Sequence, residues 1–521
     1  MAQIEIKNLK FSYKDDEKVV LDDISLKIKK GDFVVISGKS GCGKTTLLRH
    51  MKTELMPFGT RKGEVLVSEN LKIAGKIGFV MQNPEAQIVT DKVWHELAFG
   101  LENLGYKTEI IRLRVAEMAE YFGITDWYYK SVDTLSGGQK QLLNLAAVMS
   151  LHPEVVILDE PTAQLDPIAA ENFLDMIKKI HDELGITIIM SEHRLENVLL
   201  YADKLLVMKQ GKIEYNDRPE AVLKKMWNEE VLKLMPVSVR LFKKVVGRED
   251  DNIPLSIADG RRWLETLGIK GTISETKERP KESIAFCKNI WFRYEKSGED
   301  VIKGLNLKVG KGEIFCILGG NGTGKTTMMS LLSGINKPYR GKIRLEGKVS
   351  ALPQDVRTLF KKATVFEELE GVSEEIIQTM ELEQLLGKHP YDLSGGQQQK
   401  LALAKVINQN PDILLLDEPT KGLDGIYKET LGEMLKIWKH EGKTIIIVSH
   451  DVDFCGKYAD RCGLFAQGIL IAESDFREFF STNRFYTTSV NKIAGQNIIG
   501  AVREEDVVCF LNREDTISYP S

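Results

Sequence analysis

Two glycine-rich stretches carrying a lysine and a threonine are the first residues able to do chemistry. Gly38-Lys39-Ser40-Gly41-Cys42-Gly43-Lys44-Thr45 runs on into Thr46, and Gly319-Gly320-Asn321-Gly322-Thr323-Gly324-Lys325-Thr326 into Thr327. Glycines let a backbone turn its amides inward around phosphate oxygens, and a helix that starts there adds its positive end. Lys44 and Lys325 would reach the β- and γ-phosphates of a nucleotide, while Thr45 and Thr326 would offer hydroxyls to Mg²⁺. Asp159 and Asp417 each end a run of four apolar residues, Val155-Val156-Ile157-Leu158 and Ile413-Leu414-Leu415-Leu416. A carboxylate at the tip of a buried strand is poorly solvated unless it holds something, and Mg²⁺ is the obvious candidate. Glu160 and Glu418 come next and suit the polarising of an attacking water. The alternative, an Asp-Glu pair that merely caps a strand, is weakened by the glycine-rich loops upstream. A second anion-binding surface is Leu135-Ser136-Gly137-Gly138-Gln139, with its copy Leu393-Ser394-Gly395-Gly396-Gln397. There a Ser hydroxyl and two glycines stand at the start of a helix.

The elements that must hold these residues come in two sets. Glycine-rich loop, Leu-Ser-Gly-Gly-Gln and Asp-Glu-Pro-Thr recur in the same order, and Ser to Asp is 23 residues both times (136 to 159, 394 to 417). An internal repeat of that kind means two homologous domains. Within each half, short apolar β-branched runs alternate with helical stretches, the pattern of a parallel sheet covered on both faces. The expected class is α/β. Residues 1–218 and 284–471 are read as the two nucleotide-binding domains and 219–273 as a helical appendage of the first. The charged stretch 274–283 is read as a linker, and 472–521 as the tail of the second domain.

Composition narrows the class. The 71 basic and 75 acidic residues leave a net charge of -4, without the basic excess of a purely electrostatic nucleic-acid binder. Six cysteines form no CxxC pair and no zinc spacing, which reads as thiols in a reducing compartment. Cys42 sits inside the first loop, either as a thiol made reactive by the amides around it or as a small residue tolerated in a tight turn. There is no apolar leader and no run of ~18 apolar residues, so the expectation is a cytosolic or peripheral membrane protein.

The pentapeptide Leu-Ser-Gly-Gly-Gln, with the loops and the Asp-Glu pairs, resembles the ABC ATPase family over nearly the whole chain. That resemblance implies two cassettes, each with a P-loop core, an antiparallel β subdomain and a helical subdomain. ATP held by Lys325 would be closed over by Ser136-Gly137-Gly138, and ATP held by Lys44 by Ser394-Gly395-Gly396. It further implies that Tyr13 and Tyr294 stack on adenine, the alternative being tyrosines packed within a small β subdomain. Gln82 and Gln354 would contact Mg²⁺ and water, and His193 and His450 would sense the γ-phosphate. Asp166 and Asp424 match the loop that communicates across the dimer. No motif residue is missing, so two hydrolytic sites are expected. Phe79 to Gly105 (FVMQNPEAQIVTDKVWHELAFGLENLG) resembles the energy-coupling-factor importers of vitamins and transition-metal ions. Leu352 to Leu369 and Phe485-Tyr486-Thr487-Thr488 look like the fused, two-cassette version of that family. This implies an integral-membrane coupling subunit and a small substrate-binding membrane protein as partners. Tandem ATPases acting on the ribosome and sugar-importer ATPases are the competing readings. The apolar positions Trp94, Leu97, Ala98, Leu101 and Leu104 form one helical stripe, expected to dock a membrane partner, to pack inward, or to pack inward with its edge lining a groove for a partner helix.

Overall fold

A computed structural model of the chain describes residues 2–14, 18–193, 195–196, 198–226, 229–246, 252–273 and 282–513. Positions 274–281 of the expected linker and 514–521 of the expected tail lie outside the described residues. The chain separates into two units, Met1–Arg240 with Val246–Ser256, and Leu241–Val245 with Ile257–Ser521.

In the first unit six strands form one sheet in the order Ile77–Val80, Val155–Asp159, Thr187–Ser191, Phe33–Gly38, Lys204–Lys209, Lys212–Asp217. The first five run parallel and the last pairs antiparallel to its neighbour. The apolar runs become strands because they are buried along their whole length, which a sheet covered on both faces requires. A separate antiparallel sheet orders Val19–Lys29, Ala2–Tyr13 and Gly59–Val67. Strand Val19–Lys29 alternates buried and exposed positions, the mark of a sheet with one wet face. Ligand-binding loops in such parallel sheets lie at the carboxyl ends of the strands, which is where the glycine-rich loop, Asp159 and Ser191 all fall.

The second unit repeats both sheets, ordered Val349–Leu352, Ile413–Asp417, Thr444–Ser449, Ile314–Leu318, Arg461–Ala466, Ile469–Asp475, and Ile302–Gly310, Ser283–Phe292, Arg340–Leu345. The α/β architecture expected from the repeat is therefore present twice. The copies differ in their helical subdomains. Helices Val93–Asn103 and Thr108–Tyr121, of 11 and 14 residues, correspond to Val365–Glu368 and Glu374–Thr379, of 4 and 6. Helix Ile257–Thr266 and strand Gly271–Thr272 group with the second unit, although they belong to the stretch read as an appendage of the first half. The strand pairs in parallel with Ile498–Ile499 of the tail. No helix among the described residues is long and apolar enough to cross a membrane.

The apolar stripe of Val93–Asn103 divides in two. Leu97, Ala98 and Leu101 are buried, whereas Trp94 is 38% and Leu104 40% exposed. Leu101→Ala should lower folding stability by about 2–5 kcal/mol, because a fully buried leucine leaves a cavity. Trp94→Ala should change it by about 1 kcal/mol or less, as at an ordinary surface site. Chemical denaturation of the two variants checks this, and equal losses would contradict the division.

Candidate functional site

Each phosphate loop is shaped by its last glycine. Gly43 and Gly324 precede helices Lys44–His50 and Lys325–Leu332 with φ of 105° and 102°, a left-handed backbone that a side chain would strain. The turn folds the lysine back over its own loop. Lys44 Nζ donates to the carbonyls of Gly38 (2.9 Å) and Lys39 (3.4 Å), and Lys325 Nζ to those of Gly319 (2.9 Å) and Gly320 (2.7 Å). Both lysines are buried. Ser40, Gly41, Asn321 and Gly322 complete the loops between strand and helix. Cys42 is buried in the hydrophobic cluster of the first unit, the placement of a packing residue.

In the first unit, Asp159 and Glu160 meet these groups at the end of strand Val155–Asp159. Thr45 Oγ1 donates to Asp159 Oδ1 at 3.1 Å, and Ser191 Oγ donates to the same oxygen at 2.8 Å. Burial, helped by the Glu160 charge, raises the Asp159 pKa against those two hydroxyls. Glu160 stands just beyond the strand with φ of 44°, and Glu418 with 52°, rare for a residue with a β-carbon. Such strain persists where surroundings over-determine the backbone, as they do at functional sites. Glu160 Oε1 lies 2.7 Å from His193 Nε2 and 3.4 Å from Lys44 Nζ, and Glu160 Oε2 accepts from Gln82 Nε2 at 2.6 Å. Burial would raise this carboxyl, but the charges and hydrogen bonds of His193 and Lys44 outweigh it and hold it down at about 2.

The second unit solves the same problem differently. Glu418 Oε2 lies 2.8 Å from His450 Nδ1 and accepts weakly from the His450 amide (3.3 Å) and Ser449 Oγ (3.4 Å). Burial would raise this carboxyl too, but His450 and then Lys325 hold it low. Gln354 turns away from the glutamate and accepts from Thr326 Oγ1 at 3.4 Å. Neither carboxylate oxygen of Asp417 has a hydrogen-bond partner of normal geometry. The reason lies in the sheet register. Asp159 stands opposite Ser191, but Asp417 stands opposite Val448, which has nothing to donate. Burial, reinforced by Glu418 and only partly offset by Thr326 and Lys325, pushes Asp417 up to about 6.

The remaining expected residues fall as follows. The hydroxyl of Tyr13 is 2.9 Å from that of Thr46, and Tyr294 is 2.9 Å from Thr327, which fixes each ring beside its own phosphate-loop helix. Ser136 and Ser394 cap helices Gly137–Met149 and Gly395–Asn408. Each serine accepts from the amide of Gln139 or Gln397, whose side chain accepts in return. Gly138 and Gly396 lie in the first turns of these helices. Asp166 and Asp424 likewise cap helices Pro167–Leu184 and Gly425–His440. Sequence reasoning missed Ser191 and Glu192. They look like an ordinary strand end, and only the paired register brings Ser191 against Asp159.

Asp417 yields a pH-dependent stability with a definite sign. Its folded pKa is raised from 3.8 to about 6, so ionisation costs the fold as pH rises through that window. Asp417→Asn should therefore stabilise the nucleotide-free chain above pH ~6 by about 1–3 kcal/mol, with the gain fading towards pH ~4. Thermal melts of both chains across that range check it, and a pH-independent difference would contradict it.

The comparisons agree with this geometry. The family description "ABC transporter" matches residues 21–163 and 302–421. A protein of Bacillus thuringiensis subsp. konkukian, provisionally named an ABC transporter ATP-binding protein, is 40% identical across 97% of this chain and 98% of its own length. The archaeal ribosome recycling factor aABCE1, solved with the ribosomal stalk protein aP1, shares the fold at a TM-score of 0.60 and 21% identity. It covers 91% of each chain. The cbiO1 of Clostridium perfringens, part of the ABC transporter complex cbiONQ, is 31% identical over 46% of this chain and 94% of its own, with a TM-score of 0.40. This chain belongs to the ABC transporter ATP-binding proteins, carries two of their cassettes and is an ATPase.

Proposed function

We propose that the chain is the ATP-hydrolysing subunit of an energy-coupling-factor importer for a vitamin or transition-metal ion. It would lie peripherally on the cytoplasmic face of the cell membrane. An integral-membrane coupling subunit and a small substrate-binding membrane protein would be its partners. One observation carries this reading: the Gln-Asn-Pro-Glu-Ala-Gln segment joins the first cassette's glutamate to a helix with an exposed apolar edge. Gln82 bonds Glu160, and Gln87 then closes the turn by accepting from the Met81 amide at 2.8 Å. Asn144 Nδ2 donates to the Pro84 carbonyl at 3.0 Å and Lys140 pairs with Glu85 at 2.8 Å, which ties the turn to the helix capped by Ser136. Glu96, on the exposed-edge helix, accepts from the amides of Val89 (3.1 Å) and Thr90 (2.8 Å). A shift at Glu160 would thus be felt at Trp94 through a short chain of bonded groups. Tandem ATPases acting on the ribosome share the two-cassette fold, and that likeness alone does not favour them over an importer.

In hydrolysis the two glutamates would accept a proton from the attacking water. Lys44 now touches Glu160, and a γ-phosphate would compete for that ammonium and leave the carboxylate more basic. Thr45 with Asp159, and Thr326 with the unpartnered Asp417, fit Mg²⁺, which is commonly held by one carboxylate together with substrate phosphates and water. Bound there, the ion would polarise the phosphate and neutralise its charge.

Glu160→Gln and Glu418→Gln should each leave ATP binding intact while lowering steady-state ATPase by about tenfold or more if the sites alternate, or by about half if they act independently. Full activity in either variant would mean that its site is idle in the parent. A tagged chain expressed in its own host should sediment with membranes, and Trp94→Asp should release it without lowering its melting temperature. Sedimentation with ribosomes, unaffected by Trp94→Asp, would overturn the importer reading in favour of the ribosomal one.

A further inference from the structure

The segment Ser191-Glu192-His193 of the first cassette corresponds to Val448-Ser449-His450 of the second, because Asp159 faces Ser191 where Asp417 faces Val448. Glu192 therefore occupies the place of Ser449. Its side chain is 1% exposed, an expensive position for a carboxylate, and more so with Asp159 and Glu160 nearby. The contacts it makes show what it does there. Glu192 Oε1 accepts from the Thr162 amide at 3.2 Å and from the Thr162 hydroxyl, while Oε2 accepts from the His193 amide at 2.8 Å. Thr162 lies two residues beyond Glu160, and the ring of His193 holds Glu160 at 2.7 Å. The contacts close a ring: Glu160 to the His193 imidazole, the His193 amide to Glu192, Glu192 to Thr162, and Thr162 along the chain to Glu160.

The second cassette lacks this bridge at the same place. Ser449 is too short to reach across, so its hydroxyl turns to Glu418 and to the Asp451 amide (3.0 Å). The amide of His450 also turns to Glu418, at 3.3 Å, instead of to a neighbouring carboxylate. The imidazoles follow their backbones, for His193 presents Nε2 to its glutamate and His450 presents Nδ1. One side-chain difference thus accompanies a different aim of the histidine in each cassette.

We propose that Glu192 is a positioning residue for hydrolysis in the first cassette, fixing His193 through its amide and the loop after Glu160 through Thr162. This rests on the first cassette being hydrolytic. Glutamine at 192 would keep the size of the side chain but replace one acceptor oxygen with an amide donor. The amide donor can accept from neither backbone N–H, and the one remaining oxygen cannot serve both the Thr162 and the His193 amides, so the histidine should lose its aim while the phosphate loop stays intact.

The test uses the full-length chain carrying Glu418→Gln, in which only the first cassette keeps its glutamate, and follows phosphate formed in a single turnover of ATP. Adding Glu192→Gln should slow that turnover about tenfold or more, with ATP affinity changed less than about twofold. Thr162→Val, which removes one contact and no charge, should slow it in the same direction by a smaller factor. In the Glu160→Gln chain, Glu192→Gln should leave turnover by the second cassette unchanged. An unchanged rate for Glu192→Gln in the Glu418→Gln chain would overturn the proposal. So would a parallel loss of ATP affinity and melting temperature, which would make Glu192 a structural residue. No phosphate from the Glu418→Gln chain itself would overturn the two-site reading and this proposal together.

Discussion

Two carboxylates placed side by side at the end of a buried strand form the constraint around which each cassette is arranged. Burying either one charged and unaided costs several kcal/mol, and their mutual repulsion adds to that. Asp159 and Glu160 are accommodated by Lys44 and Thr45 at the start of one helix, Ser191 at the end of a strand, and Gln82 and His193 just beyond two strands of the first unit. The parallel sheet is what lets so many segments meet, since its strands end at one edge in an order unlike that of the sequence. Without the carboxylate pair, the buried Lys44 and the His193 ring turned onto Glu160 have no common cause.

The same constraint accounts for the difference between the copies. Where Ser191 is replaced by Val448, Asp417 lacks the strand-end hydroxyl that Asp159 has, and burial outweighs what Thr326 and Lys325 offset. Where Glu192 is replaced by Ser449, the amide of the following histidine turns to the glutamate itself. Substitutions within one three-residue segment therefore set how each cassette stabilises its acids. The motifs around that segment are otherwise alike.

The sheets and the phosphate loops were legible in the sequence because their signals are local: an unbroken apolar run, or a glycine forced by backbone geometry. Lys44, Thr45, Asp159 and Glu160 could be grouped from their residue types and order. Their partners could not, because Ser191 matters only through a register with Asp159 that no local pattern encodes. The stripe from Trp94 to Leu104 could be read as docking, packed inward or both, and only the packing separates buried Leu97 and Leu101 from Trp94 and Leu104 at its edges. The segment 257–273 was assigned by its place in the chain. Its partner strand, Ile498–Ile499, lies more than two hundred residues away, beyond the reach of any periodicity.

The left-handed backbone at Glu160 and Glu418 carries an energetic consequence. A residue with a β-carbon gives up roughly 1 kcal/mol in that conformation, which glycine or asparagine adopts at less cost. The acid charge beside a buried aspartate adds to the penalty. Against that stands the pairing of each acid, since His193 and Lys44, or His450 and Lys325, favour the ionised carboxylate and would lose their partner with it. Each glutamate thus couples its backbone to its neighbours: the strain of the left-handed turn is offset by the cations that hold its carboxylate, so neither can be changed without unsettling the other.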